Sequence, residues 1–340
     1  MSTVKEKVNA TNKEAQLKQS SYLEAISLAL WEELERDEKV FLIGEDIGVY
    51  GGAFKVTEGF LDHFGEDRII DAPLEETGFI GAAIGAALTG LRPVVEIQYA
   101  DFISCGWDQI VNVAAKMHYR SFEPVPIVIR SPSGAGLRAG PFHSQSPEAW
   151  FSHVPGLKVV APGTPYDAKG LLKSAIRDDN PVIFFEHKYL YRRLKEDLPN
   201  EDYTIPIGKA DVKRFGEDIS LITYGAMLQK SLEAADRLIS EGISMEIIDL
   251  RTIYPLDIKT IIDSVKKTSK AMIVHEDIRT LGIGSEVAAN IADAAFEYLD
   301  GPIKRVTAPD IPVPFSPILE DAFLPQTDDI VHAATELFNY

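Results

Sequence analysis

Residues 71–97 read DAPLEETGFIGAAIGAALTGLRPVVEI. The acid pair Glu75-Glu76 stands before a run, 77–90, that reads as a helix with a very small face. Acids at this place suit the positive end of a helix dipole. Gly78, Gly81 and Gly85, with Ala82, Ala83, Ala86 and Ala87, let a second helix approach closely, within the chain or across a subunit boundary. Val94-Val-Glu-Ile97 then reads as a short strand.

This unit recurs outward in both directions. Upstream, residues 21–36 have helical spacing at Leu23, Ile26, Leu30 and Leu34, with Ser20 or Ser21 as cap. Val40-Phe-Leu-Ile43 follows as a buried strand and ends in Gly44-Glu-Asp-Ile-Gly48. Downstream, 101–120 reads as a helix, and Ile127–Ile129, Leu157–Val160 and Val182–Phe185 as strands, with a helix at 165–177. Continuous Val/Ile runs alternating with helices predict a parallel sheet covered on both faces. The charged stretch 188–217, with Pro199 and Pro206, reads as a linker. A second α/β unit follows, with strands at 219–223, 245–249, 271–274 and 303–306 and helices at about 227–241, 257–267, 284–298 and 328–338. The expected organisation is a flexible extension (1–19), an α/β domain (20–187), a linker (188–217) and a second α/β domain (218–340), both domains doubly wound.

The net charge of −18 argues against nucleic acid, because phosphate binding needs Lys and Arg to replace counterions. No apolar run approaches the roughly 20 residues of a membrane span. The polar N-terminus lacks the apolar core of a secretory signal. The single cysteine, Cys105, excludes an intrachain disulfide and a multi-cysteine metal site. Its neighbours Phe102, Ile103 and Trp107 predict a packed position, in keeping with a reducing cytoplasm.

Nucleotide signatures are missing: there is no GxxxxGK[ST] loop and no GxGxxG, and neither HExxH nor GxSxG occurs. Two segments are candidates for chemistry. One is the acid pair before the small-faced helix. The other is Phe142-His-Ser-Gln-Ser-Pro-Glu148, after the small-residue loop Ser131–Gly136. A histidine there is a candidate for proton transfer or an ordinary surface residue.

Several runs occur in order: Gly44-Glu-Asp-Ile-Gly48, Gly51-Gly-Ala-Phe54, Asp71–Phe79, Glu96-Ile-Gln-Tyr-Ala-Asp-Phe102, His143–Glu148, Asp167–Leu172, Asp178-Asp-Asn-Pro181 and Asp249–Ile253. In these the chain resembles the β subunits of the decarboxylating component of 2-oxo acid dehydrogenases, in the transketolase-like group. The resemblance covers roughly residues 20–340. It implies a pyrimidine-binding domain for thiamin diphosphate and a transketolase C-terminal-like domain. It also implies an α subunit, in an α₂β₂ heterotetramer, that holds the diphosphate and its Mg²⁺ through a GDG motif. No GDG run occurs in this chain.

The resemblance assigns Glu76, two residues before Gly78-Phe79, to the far ring nitrogen of the aminopyrimidine, with Glu75 as the neighbouring alternative. A carboxyl that shares its proton there turns the ring's exocyclic nitrogen into an internal base, and an apolar pocket would raise its pKa. Leu74, Gln98 and Phe102 match positions around the ring, and His143 a proton-transfer position. A structural K⁺ site would use Ile127, Ala175, Ile176, Asp178 and Asn180, mostly through carbonyls; Asp178 and Asn180 also read as a helix-ending turn. Further implied partners are a 2-oxo acid and the dihydrolipoyl acyltransferase core, with Glu286, Asp293, Glu297, Asp300 and the Tyr340 carboxylate as candidate contacts. A branched-chain substrate is slightly favoured over pyruvate, and an acetoin enzyme is a further option. A non-catalytic assembly module is the alternative of another class, and a nucleotide-dependent oxidoreductase the third.

Overall fold

The computed structural model of the chain describes residues 18–340. The extension expected over 1–19 therefore falls, apart from Lys18 and Gln19, outside the described residues. The chain forms two compact units. The first holds the described residues up to Ser133, with Trp150–Val160 and Thr164–Ile207. The second holds Gly134–Ala149, Ala161–Gly163 and Gly208–Tyr340.

In the first unit a short strand, β1 (Lys18–Ser21), leads into α1 (Tyr22–Arg36). Ser21 caps α1 through a reciprocal box with Glu24: the Glu24 N–H donates to Ser21 Oγ, and the Ser21 N–H donates back to Glu24 Oε2. The helix buries Tyr22, Ile26, Leu30, Trp31 and Leu34.

The main strands of the unit are β2 (Val40–Gly44), β3 (Ile69–Asp71), β4 (Arg92–Glu96), β5 (Val128–Ser133), β6 (Lys158–Val160) and β7 (Val182–His187). They lie in the order β6-β7-β5-β4-β2-β3, and every pairing is parallel. All residues of β2, β5 and β7 are buried, as expected of strands covered on both faces. From β2 the chain winds outward through α2 (Phe60–Phe64) to β3, then returns through α3 (Glu76–Leu88) to β4 on the other side of β2. The winding direction thus reverses between β2 and β4, and ligands of open parallel sheets bind outside the carboxyl ends of strands at such a switch point.

The expected helix over 101–120 is broken in three: a 3₁₀ turn at Ala100–Gly106, a π segment at Gln109–Ala114, and α4 (Ala115–Ser121). The small face of α3 explains the close crossing here. A Cβ on Gly106 would come within 2.3 Å of Ile80 Cδ1, and one on Gly81 within 3.3 Å of Gln109 Oε1. Thr77 Oγ1 locks the crossing by donating to the Cys105 carbonyl at 2.7 Å. A short helix, α5 (Glu148–Ser152), precedes β6, and α6 (Pro165–Arg177) joins β6 to β7. The stretch 188–217, read above as a linker, carries two strands. They are β8 (Lys195–Leu198), antiparallel to β1, and β9 (Asp211–Arg214).

The second unit has the strand order β14-β13-β10-β11-β9. Its elements are β10 (Ile219–Thr223), α7 (Met227–Leu238), β11 (Met245–Asp249), β12 (Thr252–Tyr254), α8 (Ile258–Thr268), β13 (Ala271–Ile278), α9 (Ile283–Ala295), β14 (Lys304–Ala308), α10 (Pro317–Phe323) and α11 (Thr327–Phe338). β10, β11, β13 and β14 run parallel, and β9 closes one edge antiparallel to β11. Among the described residues no helix is long and apolar enough to cross a membrane.

Candidate active site

The loops after β2 and β4 meet at the switch point of the first unit. The loop after β2 is Glu45-Asp-Ile-Gly48, followed by Gly51 and Gly52 at φ 79° and 80°. Asp71, at the end of β3, pins it: its carboxylate accepts the N–H groups of Gly48 and Val49. Thr57 Oγ1 donates to the Ile47 carbonyl at 2.7 Å from inside. The loop after β4 presents Gln98, Tyr99 and Phe102. Gln98 Nε2 donates to Asp46 Oδ2 at 3.3 Å, which ties the two loops together.

Glu76 is the first residue of α3 and half-buried, whereas Glu75 just before it is exposed. Glu45 lies within electrostatic reach of Glu76. It is 6% exposed, and its Oε1 is buried without a hydrogen-bond partner. Burial first, then the charges of Glu76 and Asp46, push its carboxyl up to about 7. Two acids of unequal environment thus share one polar spot, and one of them keeps its proton near neutrality.

A row of rings runs through the same two loops, which supply Phe54 and, on the other side, Tyr99 and Phe102. Tyr191, Phe54, Tyr99 and Phe102 follow one another edge to face, with successive centroids 5.2, 5.5 and 6.0 Å apart. Beneath lies a buried ion cluster. Arg130 in β5 grips Glu186 of β7 with two bonds of 2.6 and 2.7 Å and also meets Glu96 of β4. Tyr191 donates its hydroxyl to Glu186 at 2.6 Å. Two carboxylates face one guanidinium, and burial holds Glu96 above the usual carboxylate range. A Cβ on Gly52 would stand 3.1 Å from Glu96 Oε1, so the glycine lets the loop rest on this floor.

Of the residues expected around an aminopyrimidine, Gln98 and Phe102 stand on the loop after β4 and Glu76 opens α3 within electrostatic reach of Glu45, while Leu74 is 82% exposed. Cys105 was expected to be packed, but it is exposed, because the 3₁₀ turn carries it off the core. Burial and the charges of Glu76 and Glu45 raise its thiol pKa. Sequence reasoning missed Glu45 and Asp71 as site residues, although both lie in runs that carried the resemblance. The arrangement fits a flat heterocycle. Rings and Gln98 can border its faces and edge, and the orphaned Glu45 oxygen and Glu76 offer partners for ring N–H groups and nitrogens.

His143 belongs to the second unit. It is half-buried on the loop between β5 and α5, and its N–H donates to the Gly140 carbonyl at 3.3 Å.

The residues expected to hold K⁺ gather at the turn after α6. Arg92 donates to the carbonyls of Ile176 and Asp178 at 2.9 and 3.0 Å, and Lys158 pairs with the Asp178 carboxylate. The Ile127 and Ala175 carbonyls accept from Val182 and Asp178 N–H groups, and Asn180 Oδ1 faces His118 at 2.7 Å. Arg92 and Lys158 therefore already serve the oxygens of Ile176 and Asp178, two of the five residues expected to hold K⁺. Among the described residues no three His, Cys, Asp or Glu side chains converge to hold a metal ion.

The chain matches the transketolase pyrimidine-binding domain over residues 18–193 and the transketolase C-terminal domain over 208–330. It is 51% identical to the 2-oxoisovalerate dehydrogenase subunit beta of Bacillus subtilis, over 94% of this chain and 99% of that protein. It is 49% identical to the pyruvate dehydrogenase E1 component subunit beta of the same organism, over 95% and 99%. A mitochondrial pyruvate dehydrogenase E1 subunit beta from Dictyostelium discoideum is 47% identical, over 93% and 90%. A solved structure described as a split gene transketolase, inactive beta4 tetramer, superposes with a TM-score of 0.76 at 22% identity, over 94% of this chain and 98% of that one, which supports the fold alone. With an acid pair and an aromatic row at the switch point of a transketolase pyrimidine-binding domain, and relatives of this identity over nearly their whole length, the chain belongs to the β subunits of 2-oxo acid dehydrogenase E1 components.

Proposed function

We propose that this chain, joined to an α subunit as α₂β₂, carries out thiamin-diphosphate-dependent decarboxylation of a branched-chain 2-oxo acid and passes the acyl group to a lipoyl domain. The acid pair Glu45 and Glu76 carries this reading. Bound thiamin diphosphate supplies a carbon nucleophile for the 2-oxo carbon and a sink for the electrons left when CO₂ departs. Glu76 holds a proton at the far ring nitrogen of the aminopyrimidine. Glu45, protonated near neutral pH, keeps a second full charge from building beside it. Gln98, Phe102 and Leu74 border the ring. His143 donates the proton that opening the lipoyl disulfide requires.

The chain lacks a GDG run, so the diphosphate and Mg²⁺ fall to the α subunit. A K⁺ at the turn after α6 would have to share its carbonyls with Arg92, so replacing K⁺ by Na⁺ is expected to change stability little. The acidic helix α9 and the C-terminus face the acyltransferase core. Glu286, Asp293, Glu297 and Asp300 are all exposed. Glu286 and Asp293 lie on α9, Glu297 on the 3₁₀ turn that follows Ala295, and Asp300 after that turn.

The branched-chain preference rests on the runs Phe184–Lys188 and His143–Glu148 and on the 51% relative. Pyruvate is the second reading, supported by the 49% relative. The test is to co-purify the chain with candidate α subunits and assay CO₂ release from 2-oxoisovalerate and from pyruvate. Faster release from pyruvate by the reconstituted enzyme would replace the first reading by the second. Release without any α subunit would remove the shared-site reading.

A further inference from the structure

The loop that carries His143 holds a conformation its own sequence would not keep. Gly134, Gly136 and Gly140 have φ of 84°, 95° and 72°, and Arg138, with a side chain, has φ 62°. Left-handed residues at this density need outside support. Support comes from two buried carboxylates of the same unit. Glu276 in β13 is 7% exposed. Its Oε1 accepts the Ala135 N–H at 2.9 Å and the Ser146 hydroxyl at 3.1 Å. One oxygen therefore ties the start of the loop to its end, beside the backbone bond from Gly134 N–H to the Gln145 carbonyl. Glu320 in α10 is fully buried. It accepts the Gly136 N–H at 3.0 Å, the Arg138 N–H at 3.2 Å and the Arg138 guanidinium at 2.7 Å.

Apolar contacts complete the seat. Ala135 packs with Ala308, Val313, Phe323 and Leu324. A Cβ on Gly140 would lie 2.7 Å from the Phe315 ring. Burying a carboxylate is costly unless donors meet it, and here most of the donors are backbone groups within ten residues of His143. Both carboxylates thus accept backbone N–H groups of this loop.

We infer that Glu276 and Glu320 are positioning residues for His143: together they clamp 135–146 and set where the imidazole is presented. This rests on the proposal that His143 transfers a proton in the lipoyl step. The clamp is polar and directional, and a displacement of about 1 Å at a reacting group costs on the order of 10²-fold in rate.

The test uses the reconstituted α₂β₂ enzyme with E320Q, E276A, E276Q and H143A. E320Q turns an amide NH₂ toward the Arg138 guanidinium. E276A leaves Ala135 N–H and Ser146 Oγ without their acceptor. E276Q keeps an oxygen able to accept both bonds and serves as the conservative rescue. Reductive acylation of a free lipoyl domain is measured as kcat and KM. Backbone hydrogen exchange is followed over 134–146.

E320Q and E276A are expected to lower kcat for acylation by about 10²-fold with little change in KM. Exchange should rise within 134–146 and stay unchanged elsewhere in the unit, and E276Q should recover most of the rate. Near-normal acylation in E320Q and E276A beside a slow H143A overturns the inference while leaving the role of His143 intact. Exchange raised throughout the second unit also overturns it, by making the glutamates general fold supports. A near-normal H143A removes the catalytic reading of His143 and this inference with it, and that result is read from H143A alone.

Discussion

Asp71 accepts the Gly48 N–H at 2.6 Å, which joins the end of β3 to the loop after β2. The two runs that carry the acid pair are thus held to each other by one carboxylate, which also takes the Val49 N–H. Asp71→Ala is expected to destabilise the first unit by about 1–2 kcal/mol, toward the low end for hydrogen bonds to a charged group because Asp71 is exposed. Gly48→Ala should act in the same direction, since its Cβ would stand 2.6 Å from Asp71 Oδ2. Thermal unfolding and thiamin diphosphate titration of the α₂β₂ enzyme check this. Unchanged melting in both variants would show that the contact does not order the loop.

Glu45 gives stability a definite pH dependence. Its folded pKa of about 7 lies above its ordinary value of 4.5. Below 4.5 the folded and unfolded carboxyls both carry the proton, and Glu45 contributes no loss. As pH rises from 4.5 to about 7 the unfolded chain gives up a proton that the folded chain keeps, so stability falls. Above about 7 the loss levels off. Glu45→Gln should therefore raise the Tm at pH 8 and leave it nearly unchanged at pH 4.5, while turnover falls. A stabilisation of equal size at both values would show that the gain has nothing to do with titration.

The fold was legible where burial is two-sided. Val40–Ile43 and Val182–Phe185 are apolar without alternation, and a parallel sheet is what such runs make. The three-part segment 100–121 was not legible, because its helical spacing carries no trace of α3 pressing on Gly106. Glu76 could be singled out only by resemblance: an acid at a helix N-terminus is ordinary, and nothing local separates it from Glu75. Glu45 becomes special only once β2 and β4 lie side by side. Glu276 and Glu320 reach the His143 loop across 141 and 184 residues of chain, a distance over which no spacing rule works.

The acids on and after α9 predict salt-sensitive docking. Exposed charges act mainly on association and are screened beyond roughly 8 Å at physiological salt. Replacing Glu286, Asp293, Glu297 and Asp300 by Lys should weaken binding of the acyltransferase core, and added salt should weaken it in the unaltered enzyme. Decarboxylation with an artificial electron acceptor should stay within two-fold or so, since these residues belong to the second unit and the acid pair to the first. Surface-plasmon titration across a salt series checks both arms, and salt-independent affinity would move the interface elsewhere.

We propose that Glu76, and not its neighbour, supplies the carboxyl on which decarboxylation depends. Thr77 Oγ1, bonded to the Cys105 carbonyl, fixes the start of α3, so Glu76 is half-buried within reach of Glu45 while Glu75 faces solvent. The measurement is CO₂ release from 2-oxoisovalerate by the reconstituted α₂β₂ enzyme carrying Glu76→Gln or Glu75→Gln. Glu76→Gln should assemble normally and lose about 10²–10⁴-fold in kcat, and Glu75→Gln should stay close to the unaltered enzyme. A crippled Glu75→Gln beside an active Glu76→Gln would assign that carboxyl to Glu75 instead.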